Sequence, residues 1–420
     1  MKTTERLSIV VVALAICVSA SAIDIKFKKD KTVVDDITYT LNAKKQSAVV
    51  VRGEQPYVGD IVIPEKITVD SVTFYVEEIA SNGFKECPGV TSILIPDCIT
   101  KIGSSAFMGC SSLTEITIPT RIQELADDLF ENCASLTTIN FSGSVKKLGS
   151  DIFKGCKSLV DFEVPSAVTE IPGEAFMGCS ELRNVTLPAG IKKIGTSAFE
   201  SCSSLEYIDI PTGVSIISND AFNGCTSLKE FRFPAGVSTI SANIFKNCTE
   251  LQLVEISNSI RKIEHDAFFG CAALDSLNLT NSITSLGSSV FEGCATLKKV
   301  KIPNGLTEVP SDAFKNCSSL QEVTFSNALK KIGSGAFENC ASLTQLTLPV
   351  SLKEIGNDAF EGCNNIMDIY INSSVPIKIS GGSFAKATMK EAIVHVKKGA
   401  TTNFNLDKQW KKFLNIIEWK

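Results

Sequence analysis

The sequence predicts an α/β solenoid with short parallel strands stacked coil on coil. A β-rich cap is expected at its N-terminal end and a second cap at its C-terminal end. Two observations carry this. Thirteen phenylalanines stand 23 residues apart without a slip, from Phe84 to Phe360. Thirteen cysteines keep the same interval three positions later, from Cys87 to Cys363. A period held that strictly marks one supersecondary unit, copied and stacked. Such an array offers an extended surface rather than a pocketed globule.

The elements follow in chain order. Lys2 and Arg6 precede an apolar run from Leu7 to Val18 and then Ala20-Ser21-Ala22. A charged head, a short hydrophobic segment and an A-x-A site predict an export leader over residues 1–22, cleaved before Ile23. The run is short for a membrane span, and Ile16 is a poor neighbour for a lipidated Cys17. Residues 23–60 are rich in strand formers and predict a small β cap. Asp70 to Ile79 predicts a hairpin entry. The solenoid is expected over 61–372, with 13 regular repeats. Within one repeat, Leu113, Ile116 and Ile118 have inward strand spacing. Pro119, lacking an N–H, ends the strand. Ile122 and Leu125 return to the interior. Gly at the next position, as in Gly103 and Gly195, is expected to permit a tight reversal. Ser105 to Cys110 predicts a short helical turn that drives Phe107 into the core. Residues 373–420 are expected to form a degenerate last repeat and a C-terminal cap. Phe384 comes one residue late, Ala392–Val396 suggests a strand, and Trp410, Phe413 and Trp419 are placed to seal the open end.

The stretch from Cys179 to Cys202 combines these features: Leu182, Val185 and Leu187, then Pro188, Ile191, Ile194-Gly195 and Ala198-Phe199. The pattern resembles the BspA-like, Treponema-type leucine-rich repeat over about three quarters of the chain. The resemblance implies a right-handed leucine-rich-repeat superhelix with one parallel sheet. Receptor-type repeats carry Asn after the strand, whereas Arg121, Gly190 and Gly213 stand near that place here. The family's members are associated with binding host matrix proteins and with bacterial co-aggregation. An exported, adhesin-like role is therefore what the resemblance implies.

The formal net charge is −5, and removal of the leader leaves −6. With no basic stripe, nucleic acid is not an expected partner. No second stretch has the length to cross a membrane. The periodic thiols occupy one place in every coil, beside Phe. They predict a buried reduced ladder, because parallel side chains are poorly aimed for bridging and an odd count leaves one over. Cys98 is expected to be a loop thiol. No metal or cofactor motif occurs. His265 and His395 are the two histidines, and neither lies near a nucleophile motif, so no catalytic residues are expected.

Outward strand positions fall four, five and seven residues after each Cys. Core positions barely vary between copies, whereas these differ sharply. They supply the candidate contacts: Asp161, Glu163, Glu206, Tyr207, Asp209, Arg232, the basic group Lys298, Lys299 and Lys301, and Tyr370. Tyr and Arg are common hot-spot residues. The expected partner is a protein or glycan on a host or bacterial surface. The alternative is a non-adhesive envelope or periplasmic scaffold.

Overall fold

The computed structural model describes residues 26–28 and 31–419. The leader expected over residues 1–22 lies outside them. Each coil presents three faces, and each face forms its own ladder against the neighbouring coils.

The front ladder is a broken parallel sheet. It opens with Val58–Val62 beside Gly89–Leu94. Glu115–Ile118 then pairs with Thr138–Phe141 in a 23-residue register, Glu115 beside Thr138. Asp161–Glu163 pairs with Asn184–Thr186, Glu230–Arg232 with Leu253–Glu255, and Lys299–Lys301 with Glu322–Thr324. Gln345–Leu348, Asp368–Ile371, Ile393–Lys397 and Asn415–Trp419 complete it. Leu113, Ile116 and Ile118 are buried, as the alternation requires. The proline that ends a strand also starts the next bend. Its carbonyl accepts the N–H three residues on, as from Ile122 to Pro119 at 3.2 Å.

The second ladder is two residues deep. Ile171, Ile194 and Ile217 stack inward, while Glu170, Lys193 and Ile216 look out. Glycine follows the inward residue for a reason other than a reversal. A Cβ on Gly195 would lie 2.5 Å from the Gly173 nitrogen, and one on Gly103 would lie 2.3 Å from the Ser81 nitrogen. The backbone of the preceding coil occupies that space.

The third ladder is made of turns. The N–H groups of Ser105, Phe107 and Gly109 donate to carbonyls of Asp127, Leu129 and Glu131 in the next coil, at 2.9, 3.1 and 2.8 Å. Ser105 and Gly109 have φ of 56° and 74°. A left-handed residue two places before and two after each Phe directs these groups along the stack instead of up a helix. Asp220 with Gly224, and Asn243 with Asn247, repeat the device. Among the described residues, α-helix is confined to Lys386–Glu391 and Thr401–Leu406, with a 3-10 turn at Trp410–Lys412. The repeats therefore build a β-solenoid, and the helical turn expected at Ser105–Cys110 is absent.

The phenylalanines form one continuous column inside. Successive rings from Phe84 to Phe384 lie 5.2–5.9 Å apart and within 29° of parallel. All are buried. Each contributes roughly 1.5–3 kcal/mol by burial. Tyr57 extends the column at the N-terminal end, 4.9 Å from Phe84. Phe413 and Trp410 close it at the other, 5.3 and 6.0 Å from Phe384. Trp419 does not join this seal. It stands on the last front strand, edge-on to Tyr370 at 5.5 Å.

The N-terminal sheet is continuous with the second ladder. Its strands run in the order 26–28, 31–34, 37–42, 47–50, 72–79, 66–69, and Val72–Ile79 also pairs with Lys101–Ile102. Val69 faces Val72 across Asp70-Ser71, both left-handed with φ of 50° and 67°. Such two-residue turns match the strand twist and fix the hairpin register.

Candidate ligand-binding face

The front ladder exposes the positions that alternation assigns outward. Glu206, Tyr207 and Asp209 are exposed around buried Ile208, and Lys298, Lys299 and Lys301 around buried Val300. Tyr207 keeps 49% of its surface open. Asp161 and Glu163 are likewise exposed on either side of Phe162.

Stacking at 23 residues pairs some of these charges between coils. Lys229 donates to Glu206 at 2.6 Å, which lowers the Glu206 pKa and raises that of Lys229. Arg232 lies 3.4 Å from Glu255. Lys299 bonds Glu322 at 2.8 Å, which raises its pKa and partly neutralises the basic group. Lys298 and Lys301 make no ion pair among the described residues, nor do Glu163 and Asp209. Asp161 accepts from Asn184 at 2.6 Å. Tyr370 is half-buried, because His395 stacks on it at 4.2 Å and Trp419 meets it edge-on. His395 in turn bonds Asp368 at 2.7 Å.

The ladder also has breaks, which alternation does not reveal. Thr138–Phe141 and Asp161–Glu163 do not pair with each other. A groove of about 890 Å³ opens there, lined by Thr137, Thr138, Asn140, Asp161, Glu163 and the half-buried Phe141. Phe162, at an inward position where most coils carry Ile or Val, packs on Phe153 and Phe176 at 4.9 and 5.2 Å. Phe231 holds the same place in a paired strand, so this substitution does not by itself mark the break. A second groove, about 680 Å³, lies where residues 275–278 form no strand, and Leu253, Leu277, Asp275, Lys298 and Lys299 line it.

The thiol ladder lies inside, beside the Phe column. Each Sγ–H from Cys110 to Cys363 donates to the Phe carbonyl 26 residues earlier, at 3.0–3.4 Å. From Phe107 to Phe337 that carbonyl also accepts the Cys N–H three residues on, as from Cys110 to Phe107 at 3.1 Å. The described cysteines are all free thiols. Burial pushes Cys110 and Cys317 up to about 12 and Cys133 and Cys202 well above the ordinary range. Thiols held protonated are poor nucleophiles and poor metal ligands. Cys98 is half-buried and donates to Val76 at 3.2 Å. Among the described residues no three His, Cys, Asp or Glu converge as a metal set, and no helix is long and apolar enough to cross a membrane.

A sequence model of the BspA type Leucine rich repeat region, in 6 copies, matches residues 77–206, 192–320 and 287–403. This chain belongs to the BspA-type leucine-rich repeat family. Its fold is similar to that of a leucine-rich repeat protein from Bacteroides ovatus, with 28% identity and a TM-score of 0.79. That match covers 92% of this chain and 99% of the other. A leucine rich cell surface protein from Faecalibacterium prausnitzii shares the fold at 23% identity and a TM-score of 0.56, covering 84% of this chain and 96% of that one. No curated protein matches the chain.

Proposed function

We propose that this BspA-type chain is an exported cell-surface or secreted binding scaffold, adhesin-like. In this reading it contacts a protein or glycan on a host or bacterial surface through its front ladder. One observation carries the reading. A nearly invariant interior supports outward side chains that change from coil to coil, from Asp161 and Glu163 to Glu206, Tyr207 and Asp209, then to Lys298 and Lys301. Packing does not require that variety. The two grooves at the ladder breaks supply concave places beside Asp161 and Glu163 and beside Lys298 and Lys299. The exposed Tyr207 and Arg232 fit the hot-spot pattern of protein interfaces.

The leader expected over residues 1–22 supports export, and the family resemblance supports a surface role. The reading is of binding, not catalysis, since the buried thiols are disarmed and His265 is spent on neighbouring Asp266 at 2.9 Å. Protease added to intact cells tests the location. Cleavage of the protein without lysis is expected, and complete protection leaves the periplasmic scaffold in its place. A pull-down from host matrix and bacterial surface fractions then tests the face.

A further inference from the structure

We propose that copies of this chain associate head to tail, the Asn415–Trp419 edge of one joining the Val58–Val62 edge of the next. This goes beyond ligand binding by the face. The two strands are the first and last of the same parallel ladder, and among the described residues each pairs on one side only. An unpaired edge is a template for another strand unless it is blocked. Each of these carries a single charge, Asp60 or Glu418, and no proline.

Their main-chain groups are complementary. Ile63 N–H donates to Leu94 at 3.1 Å, so by strand alternation Asp60 and Val62 turn theirs to the open edge. Ile393 N–H donates to Met367 at 2.8 Å, so Val394 faces the last strand, and Ile416 and Glu418 face away from it. A parallel join with Ile417 beside Val62 engages both rows. It also continues the outward column Tyr370, His395, Ile417 directly into Val62 and Leu94.

The exposed side chains at the two ends match. Val62 and Leu94 are 61% and 63% exposed, against 45% for Ile417 and 72% for Leu414. Along the Val58–Val62 edge runs a groove of about 850 Å³, whose lining includes Asp35, Asp36, Glu54 and Asp60 against Lys31 alone. Residues 386–419 carry seven lysines against three acids. The acidic groove beside one edge and the lysine-rich segment carrying the other favour one orientation of the copies. Such a heterologous contact gives open arrays or larger rings, not a two-fold dimer. An array would also multiply weak contacts along the front face.

Sedimentation velocity of the exported protein tests this. Mass is expected to grow beyond a dimer with concentration, and association to weaken about tenfold between 50 and 500 mM salt as the ends are screened. Val62→Lys and Ile417→Lys each leave one good end, so each variant alone is expected to stay monomeric. Mixed, they should form a one-to-one dimer and nothing larger. Val58→Lys and Leu414→Lys, at more exposed sites of the same ends, repeat the test if either first variant melts early. A wild-type protein that stays monomeric, or stops at a dimer, overturns the proposal. So does a variant that still assembles alone, or a mixture that does not dimerise.

Discussion

Alkali is the perturbation to which this interior is most specifically exposed. Eleven thiols from Cys110 to Cys340 have their pKa raised, in every case chiefly by burial. The unfolded chain releases these protons near its ordinary thiol pKa, about 8.5–9, while the folded chain holds them. Above that pH the unfolded state binds fewer protons, so stability falls as pH rises, by about 1.4 kcal/mol per thiol per pH unit. The loss continues until the folded pKa is reached, about 12 for Cys110 and Cys317. If the array unfolds as one unit, eleven thiols remove on the order of 15 kcal/mol for each unit above about pH 9. At roughly 0.05–0.15 kcal/mol per residue, a chain this long holds several times the stability of a small domain, so one pH unit removes a large share of it and not all of it. The array is therefore expected to melt between about pH 10 and pH 12. The assay is circular dichroism with thiolate absorbance followed together against pH, and the two transitions should coincide. Cys202→Ser, Cys225→Ser and Cys248→Ser combined keep a donor for the Phe carbonyls but remove three titrating groups. The dependence of stability on pH should become shallower by about three parts in eleven. Thiolate appearing well below the melting pH, or an unchanged slope in the serine variant, refutes the reasoning.

Two further substitutions probe the ladders. Phe222→Ala opens the column between Phe199 and Phe245, 5.4 and 5.9 Å away, and also removes the contact with Phe231 at 5.1 Å. A cost of about 3–5 kcal/mol is expected, with early hydrogen exchange in the adjacent coils. Gly195→Ala would drive a methyl to 2.5 Å from a backbone nitrogen and should cost about 1–3 kcal/mol, whereas the nearest atom to a Cβ on Gly173 is 3.4 Å away. Gly173→Ala should be neutral or stabilise by up to about 1 kcal/mol, as chemical denaturation would show.

Much of the fold is legible because burial repeats. Phe107, Cys110, Leu113 and Ile116 recur at one interval, and each is inside. The turn ladder is also written in the sequence, in the Asn, Asp, Ser and Gly set two places to either side of most of these Phe residues, with Glu86 and Glu174 as exceptions. Residues such as Asp220 and Asn247 tolerate positive φ, and that preference, rather than helix propensity, decides the local path. Gly103 and Gly195 recur at one place in about half of the repeats, but only the folded stack shows that a neighbouring coil fills the space. On the candidate face, alternation turns Tyr207 and Lys301 outward, and both are exposed. It does not show that Lys299 meets Glu322, because that pairing depends on the 23-residue register between coils. Nor does it place Trp419, whose position follows from a last strand that only the long-range pairing with Ile393–Lys397 defines.

The most direct test of the binding face compares three proteins for retention on bacterial cells and on a host matrix extract. These are the wild type, a front-face variant carrying Glu206→Lys, Asp209→Lys and Glu230→Lys, and a second-ladder variant carrying Glu308→Lys and Glu354→Lys. All three should share one melting profile apart from about 1 kcal/mol for lost surface ion pairs. Retention is expected to fall only for the front-face variant. Equal retention by all three, or loss only in the second-ladder variant, contradicts the account.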